Sequence, residues 1–147
     1  MLRNPLQPET PTQVGAFSVS LNVKDIYASY AFYQRLGFAL TGGNLDRCWA
    51  ILRKGSTMMG LFQGIVPAST LTVNPGRDQA AQPVDPFTDV RELQRQLQEA
   101  SVALTVEADP GSSGPAFMML TDPDGNPILV DQHRCCSSQT SQPLAEP

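Results

Sequence analysis

His133 is the only histidine in the chain, and Asp131 stands two positions before it. Residues two apart on a strand share a face, so the pair could act as a coupled acid and base, with Cys135 extending the row if the strand continues. Such a group could move a proton or help hold a metal ion. The preferred reading is a surface Asp-His pair at a strand end, because one histidine cannot supply the usual ligand set. A second group is neutral. Ser18, Ser20 and Asn22 alternate with apolar residues, and Thr72 and Asn74 do the same further along. These side chains would give one sheet face a row of hydrogen-bonding groups for a ligand, or would simply hydrate a half-exposed face. Trp49, Met58, Phe62 and Phe117 could wall a flat ligand, or could be core residues. Arg77 could pair with a ligand carboxylate, although an ordinary surface pair with Asp78 is preferred. Gly111-Ser112-Ser113-Gly114, set between two prolines, reads as a flexible loop over a cleft mouth; no helix start follows it to make a phosphate cradle.

The elements that must position these residues follow from periodicity. Residues 17–23 alternate in the period-two pattern of a strand with two different faces. Lys24 to Leu36 carries Ile26, Tyr30, Tyr33 and Leu36 on one helical face, and Gly37 can end that helix. Strands are expected at 39–41, 47–52 and 57–63, with turns at Gly42-Gly43 and Lys54-Gly55-Ser56. The order then repeats. A strand at 70–74 leads, after a Pro- and Gln-rich insertion, to a helix at 88–100 with Thr88 as its expected N-cap. Strands at 103–108, 116–121 and 127–132 follow, the last two joined by Asp122-Pro123-Asp124-Gly125, which suits a type I turn. The expected fold is α+β, with two tandem βαβββ modules at 15–66 and 67–134. Two four-stranded curved mixed sheets would surround a shared cleft. Residues 1–14 and 135–147 lack periodicity and are expected to be disordered tails.

Composition narrows the partners. A 41% hydrophobic content in 147 residues can bury one domain core. The net charge of -4 comes with scattered basic residues, which argues against nucleic acid. No apolar run could span a membrane or serve as a secretory signal, so the cytosol is the expected location. Three cysteines, two of them adjacent, read as free thiols.

Three stretches, Leu21-Asn22-Val23-Lys24-Asp25-Ile26, Phe32-Tyr33-Gln34-Arg35-Leu36-Gly37-Phe38 and Asp122-Pro123-Asp124-Gly125-Asn126-Pro127-Ile128, resemble the vicinal-oxygen-chelate superfamily. That superfamily includes glyoxalase I, bleomycin-resistance proteins and extradiol dioxygenases. The resemblance implies metal ligands on the first and fourth strands of each module. Carried over, these positions fall on Ser18, Gly60, Thr70 or Thr72, and Leu129. Gly and Leu carry no side-chain donor, and neutral hydroxyls are weak ones, so neither metal nor cofactor is expected. Asn22 matches a position that contacts anionic substrate groups in some relatives. The expectation is a homodimeric binding protein that takes a small organic molecule against Ser18, Ser20, Asn22, Trp49, Gly60, Phe62, Thr72, Asn74, Leu129 and Asp131. The alternatives are a divergent glyoxalase- or dioxygenase-like enzyme, a metal-free lyase or isomerase using Asp131 and His133, and a structural or partner-binding module.

Overall fold

Alternation of small polar and apolar residues draws Ala16–Asn22 into strand β1, and the rest of the sheet is built outward from it on both sides. In the computed structural model, which describes residues 14–135, the elements run β1, α1 (Ile26–Arg35), β2 (Ala39–Asn44), a 3-10 turn (Leu45–Arg47), β3 (Trp49–Lys54), β4 (Thr57–Phe62), β5 (Thr70–Asn74), α2 (Val90–Glu99), β6 (Ala116–Thr121) and β7 (Pro127–Gln132). The strands form one curved, unclosed sheet in the order β2-β3-β4-β1-β5-β7-β6. Apart from Val14 and Cys135, the expected tails lie outside the described residues.

The module repeat is visible in the pairing. β1 runs parallel to β4 with Ser20 opposite Gly60, and β5 runs parallel to β7 with Thr72 opposite Leu129. β1 and β5 join the modules as an antiparallel pair, with Ser18 opposite Thr72 and Ser20 opposite Thr70. Because side chains alternate across a sheet, one face carries Leu21, Ala50, Leu52 and Leu61 under α1, and Val73, Met118 and Val130 under α2. Ile26 and Tyr30 complete the first core; Val90, Leu93 and Leu97 complete the second. Among the described residues no helix covers the opposite face.

Both helices start in the same way. Asp25 accepts from the amides of Tyr27 and Ala28, and Asp89 accepts from that of Arg91, as N-caps should. The amide of the first helical residue then goes to a glutamine just at the end of the module's last strand. Ile26 N donates to Gln63 Oε1 at 2.8 Å, and Val90 N donates to Gln132 Oε1 at 2.7 Å. Each module therefore clamps its helix to its fourth strand, supplying a partner to an amide that a helix leaves open.

Several expectations need correction. The two expected sheets are one continuous sheet, because the β1-β5 ladder joins them edge to edge. Residues 103–108 do not form a strand: one bridge links Val106 to Met119. The cause is Gln94, buried on α2, whose amide takes both the N–H (2.7 Å) and the C=O (2.9 Å) of Ala108. That pair of bonds ties Ala108 to α2, and the backbone pairing with β6 is confined to Thr105 and Val106 on Met119. Asp89, not Thr88, caps α2; a carboxylate is the better acceptor at the positive end of a helix. Gly42 and Gly43 lie within β2, at a register shift, and the chain turns instead at Leu45–Arg47, closed by Cys48 in a left-handed conformation. The Asp122 turn forms as read, with the Asp122 side chain also accepting from the amides of Asp124 and Asn126.

Candidate functional site

The helix-free face of the sheet carries Ser18 from β1, Met58 and Gly60 from β4 and Ile51 from β3. Beside them stands Asn74, the last residue of β5, with its side-chain amide donating to the carbonyl of Asp131 at 2.9 Å. Together with Met59, Arg77, Ala81 and His133 these residues line a cavity of about 230 Å³. Its roof belongs to the insertion. In module one Val23 and Lys24 alone link β1 to the cap of α1, whereas in module two residues 75–88 make the same connection.

The insertion is fastened at two places. Gln79 pairs its side-chain amide with both backbone groups of Phe17, accepting from the N–H and donating to the C=O at 3.1 Å, and donates again to Ser56 O at 3.2 Å. One glutamine thus acts as a strand partner to the outer end of β1. At the other place Arg134, just past β7, donates to the carbonyls of Gly76 and Val84 at 3.0 Å each and makes a two-point pair with Asp85. The same guanidinium lies 4.9 Å from the centre of the Phe87 ring.

The polar end of the cavity is electrostatically defined. His133 Nε2 lies 2.9 Å from Asp131 Oδ2, and this hydrogen bond is the main reason its pKa is raised above 6.5. Burial and the nearby positive charge of Arg77 oppose the rise. Arg77 itself donates to Ala81 O at 3.1 Å and has no carboxylate partner among the described residues. The expected surface pair with Asp78 does not form. Asp78 instead accepts from the amides of Ala80 and Gln82, holding the bend of its own loop.

The expected site residues separate into three groups. Ser18, Gly60, Asn74 and His133 come together at the cavity, and Asp131 reaches it through His133. Ser20 and Thr72 hydrogen-bond to one another at 3.0 Å across the module seam, with Leu129 in register beside Thr72. Asn22, Phe62 and Trp49 form a cross-strand row at the other end of β1, outside the cavity lining. The Phe62 ring nevertheless leans back over Gly60: a Cβ at position 60 would lie 2.6 Å from its Cε2 atom. Trp49 and Phe117, 38% and 47% exposed, are surface residues of the open face and not core. Residues 111–114 do not cover the cleft. They are tied to the start of α2, where Arg91 donates to Ser112 Oγ and Gly114 O. Ile51, Met59 and Ala81 line the cavity without having been singled out, since an apolar residue on a strand or in an insertion has no chemical signature of its own.

The sequence pattern of the Glyoxalase/Bleomycin resistance protein/Dioxygenase superfamily matches residues 15–130, which covers both modules. The chain belongs to this superfamily. No curated protein matches it. Among solved structures, it is similar to a superfamily member from Vibrio splendidus 12B01, at 18% identity and a TM-score of 0.55, covering 79% of this chain and 97% of that one. It is also similar to a protein from Legionella pneumophila described as an NAD-dependent benzaldehyde dehydrogenase, at 16% identity and a TM-score of 0.58, covering 80% and 98%. A hypothetical protein from Bacillus halodurans C-125 follows at 14% identity and a TM-score of 0.50, covering 92% and 98%. At these identities the likeness is one of fold.

The divalent ion that the resemblance implies does not fit this superfamily member at the carried-over positions. Gly60 and Leu129 offer no donor atom, and Phe62 occupies the space in front of Gly60. The threonine hydroxyls are engaged elsewhere: Thr70 donates to Ala68 O at 3.0 Å, and Thr72 is held by Ser20. Among the described residues no three His, Cys, Asp or Glu side chains gather as a metal site would require. Nor is any helix there long and apolar enough to cross a membrane.

Proposed function

We propose that this chain is a glyoxalase/bleomycin-resistance-like protein that binds a small organic molecule in the cavity roofed by residues 75–84, without the metal chemistry of its superfamily. One observation carries the reading. The carried-over ligand positions Ser18 and Gly60 open into a cavity lined by apolar Ile51 and Met58 and by polar Asn74, Arg77 and His133. An apolar wall with a few convergent polar groups is what a small-molecule site needs. The expected outcome of elemental analysis on the purified protein is no stoichiometric divalent metal, and a thermal-shift screen of metabolites and antibiotics should find stabilising compounds. A stoichiometric metal whose removal abolishes an activity would overturn the reading.

The same reading places the protein in the cytosol as a homodimer. The exposed apolar side chains of the open face, Trp49 and Phe117 among them, support self-association, and light scattering should give twice the chain mass.

The contact between His133 and Asp131 favours a second reading, a metal-free lyase or isomerase in which the pair moves a proton at the cavity wall. Turnover that survives His133→Ala would remove it.

A further inference from the structure

The insertion at 75–88 belongs to module two alone, and it brings to the cavity a cation that the module-one link does not supply. Arg77 is half-buried, donates to one carbonyl of its own loop, and has no carboxylate partner among the described residues. Of the other half-buried described arginines, Arg53 donates to Gly55 O at 2.7 Å and lies outside the cavity lining, and two are paired with carboxylates. Arg91 pairs with Asp89 at 2.7 Å, and Arg134 with Asp85 at 3.0 Å. A partly desolvated guanidinium with donors left over favours a planar anion in front of it.

The surroundings say what else the anion must carry. The lining also includes the apolar side chains of Ile51 and Met58, which a bare inorganic anion would leave unmatched. Ser18, Asn74 and His133 line the same cavity as Arg77, three groups able to hydrogen-bond the oxygens of a carboxylate or its neighbouring substituent. At about 230 Å³ the space is smaller than the roughly 300–1,000 Å³ of drug-sized sites, which suits a single ring or a short chain.

We propose that the cavity takes a small amphipathic carboxylic acid, its carboxylate against Arg77 and its apolar body against Ile51 and Met58. The inference rests on the small-molecule reading above and narrows it to a ligand class. The fastening of the insertion gives it a structural basis. Arg134 and Gln79 hold the loop on both sides of Arg77, so the guanidinium is placed before a ligand arrives.

The test is calorimetric titration of the full chain with 3-phenylpropionate and with its uncharged amide, at one pH and ionic strength. The acid should bind about tenfold more tightly than the amide, as expected for one charge-assisted contact at a partly exposed site. Arg77→Gln should abolish that preference, so that acid and amide bind alike. Arg77→Lys, which keeps the charge but not the two-point geometry, should retain part of it and serves if the glutamine variant does not fold. Equal binding of acid and amide, or a preference that persists in Arg77→Gln, overturns the inference and leaves the broader reading standing. Binding of neither probe also overturns it. The thermal-shift screen then decides the parent reading separately, since neutral or cationic hits would sustain it and an empty screen would not.

Discussion

At the scale of single residues, His133 and Gly60 give this site its character. Asp131 holds His133 by a 2.9 Å contact and shifts its titration above the ordinary 6.5, against the opposing effects of burial and Arg77. A histidine whose folded pKa is raised contributes stability that is fully present below about 6.5 and is lost as pH rises through the folded value. Because the chain has one histidine, its ring gives one set of proton resonances, and NMR titration reads the value directly. The midpoint should lie above 6.5 in the native protein and fall in Asp131→Asn; a native midpoint at or below 6.5 would show that the pair does not hold in solution. His133 is about half exposed, so solvent screening keeps the stability effect small. Gly60 works by what it lacks. With no side chain there, the Phe62 ring lies over the position, and the space a metal-binding side chain would claim becomes part of an apolar wall.

At the scale of elements, the insertion is the part that converts an open sheet face into a cavity, and Arg134 is its main fastening. Replacing Arg134 by Ala removes two carbonyl contacts, the pair with Asp85 and the stacking on Phe87. Hydrogen exchange should then speed at the amides of Asp78 and Val84, which close the loop on Gln82 and Gly76, by at least tenfold, equivalent to about 1.4 kcal/mol. The β5 amides should keep their protection; unchanged exchange throughout 76–84 would mean that Gln79 alone suffices. These contacts were not legible in the sequence, and the reason is physical. The elements β1, α1, β4, β5, β6 and β7 announce themselves because burying one face imposes a period of two or 3.6 on neighbouring residues. Arg134 and Gln79 reach 58 and 62 residues along the chain to Gly76 and Phe17, and nothing local marks such a partner. The same limit hid Gln94, whose grip on Ala108 replaces the expected strand at 103–108, and the matched glutamines Gln63 and Gln132, which reveal a repeat that overall residue identity conceals. Of the positions taken from the resemblance, Ser18 and Gly60 line one cavity, whereas Thr70, Thr72 and Leu129 lie outside its lining.

At the scale of the whole molecule, the question is whether two modules with separate cores unfold as one body. Each core sits under its own helix, and no buried residue belongs to both. What joins them is the β1-β5 ladder, five residue pairs long, reinforced by the Ser20-Thr72 hydrogen bond and by Gln79 bridging from the insertion to Phe17 and Ser56. Losing one module would strip a full ladder from the other, exposing the edge of β1 or β5 and a row of backbone groups that were paired. That cost favours a single cooperative transition. The lone tryptophan makes the point measurable: Trp49 lies in β3 of module one, whereas far-UV circular dichroism reports both modules. Urea titrations followed by the two signals should coincide in midpoint and slope. Fluorescence leading or trailing the dichroism would show that the seam is weaker than its hydrogen bonds suggest. The cavity would inherit that weakness, since Ser18, Ile51 and Gly60 come from one module and Asn74, Arg77 and His133 from the other.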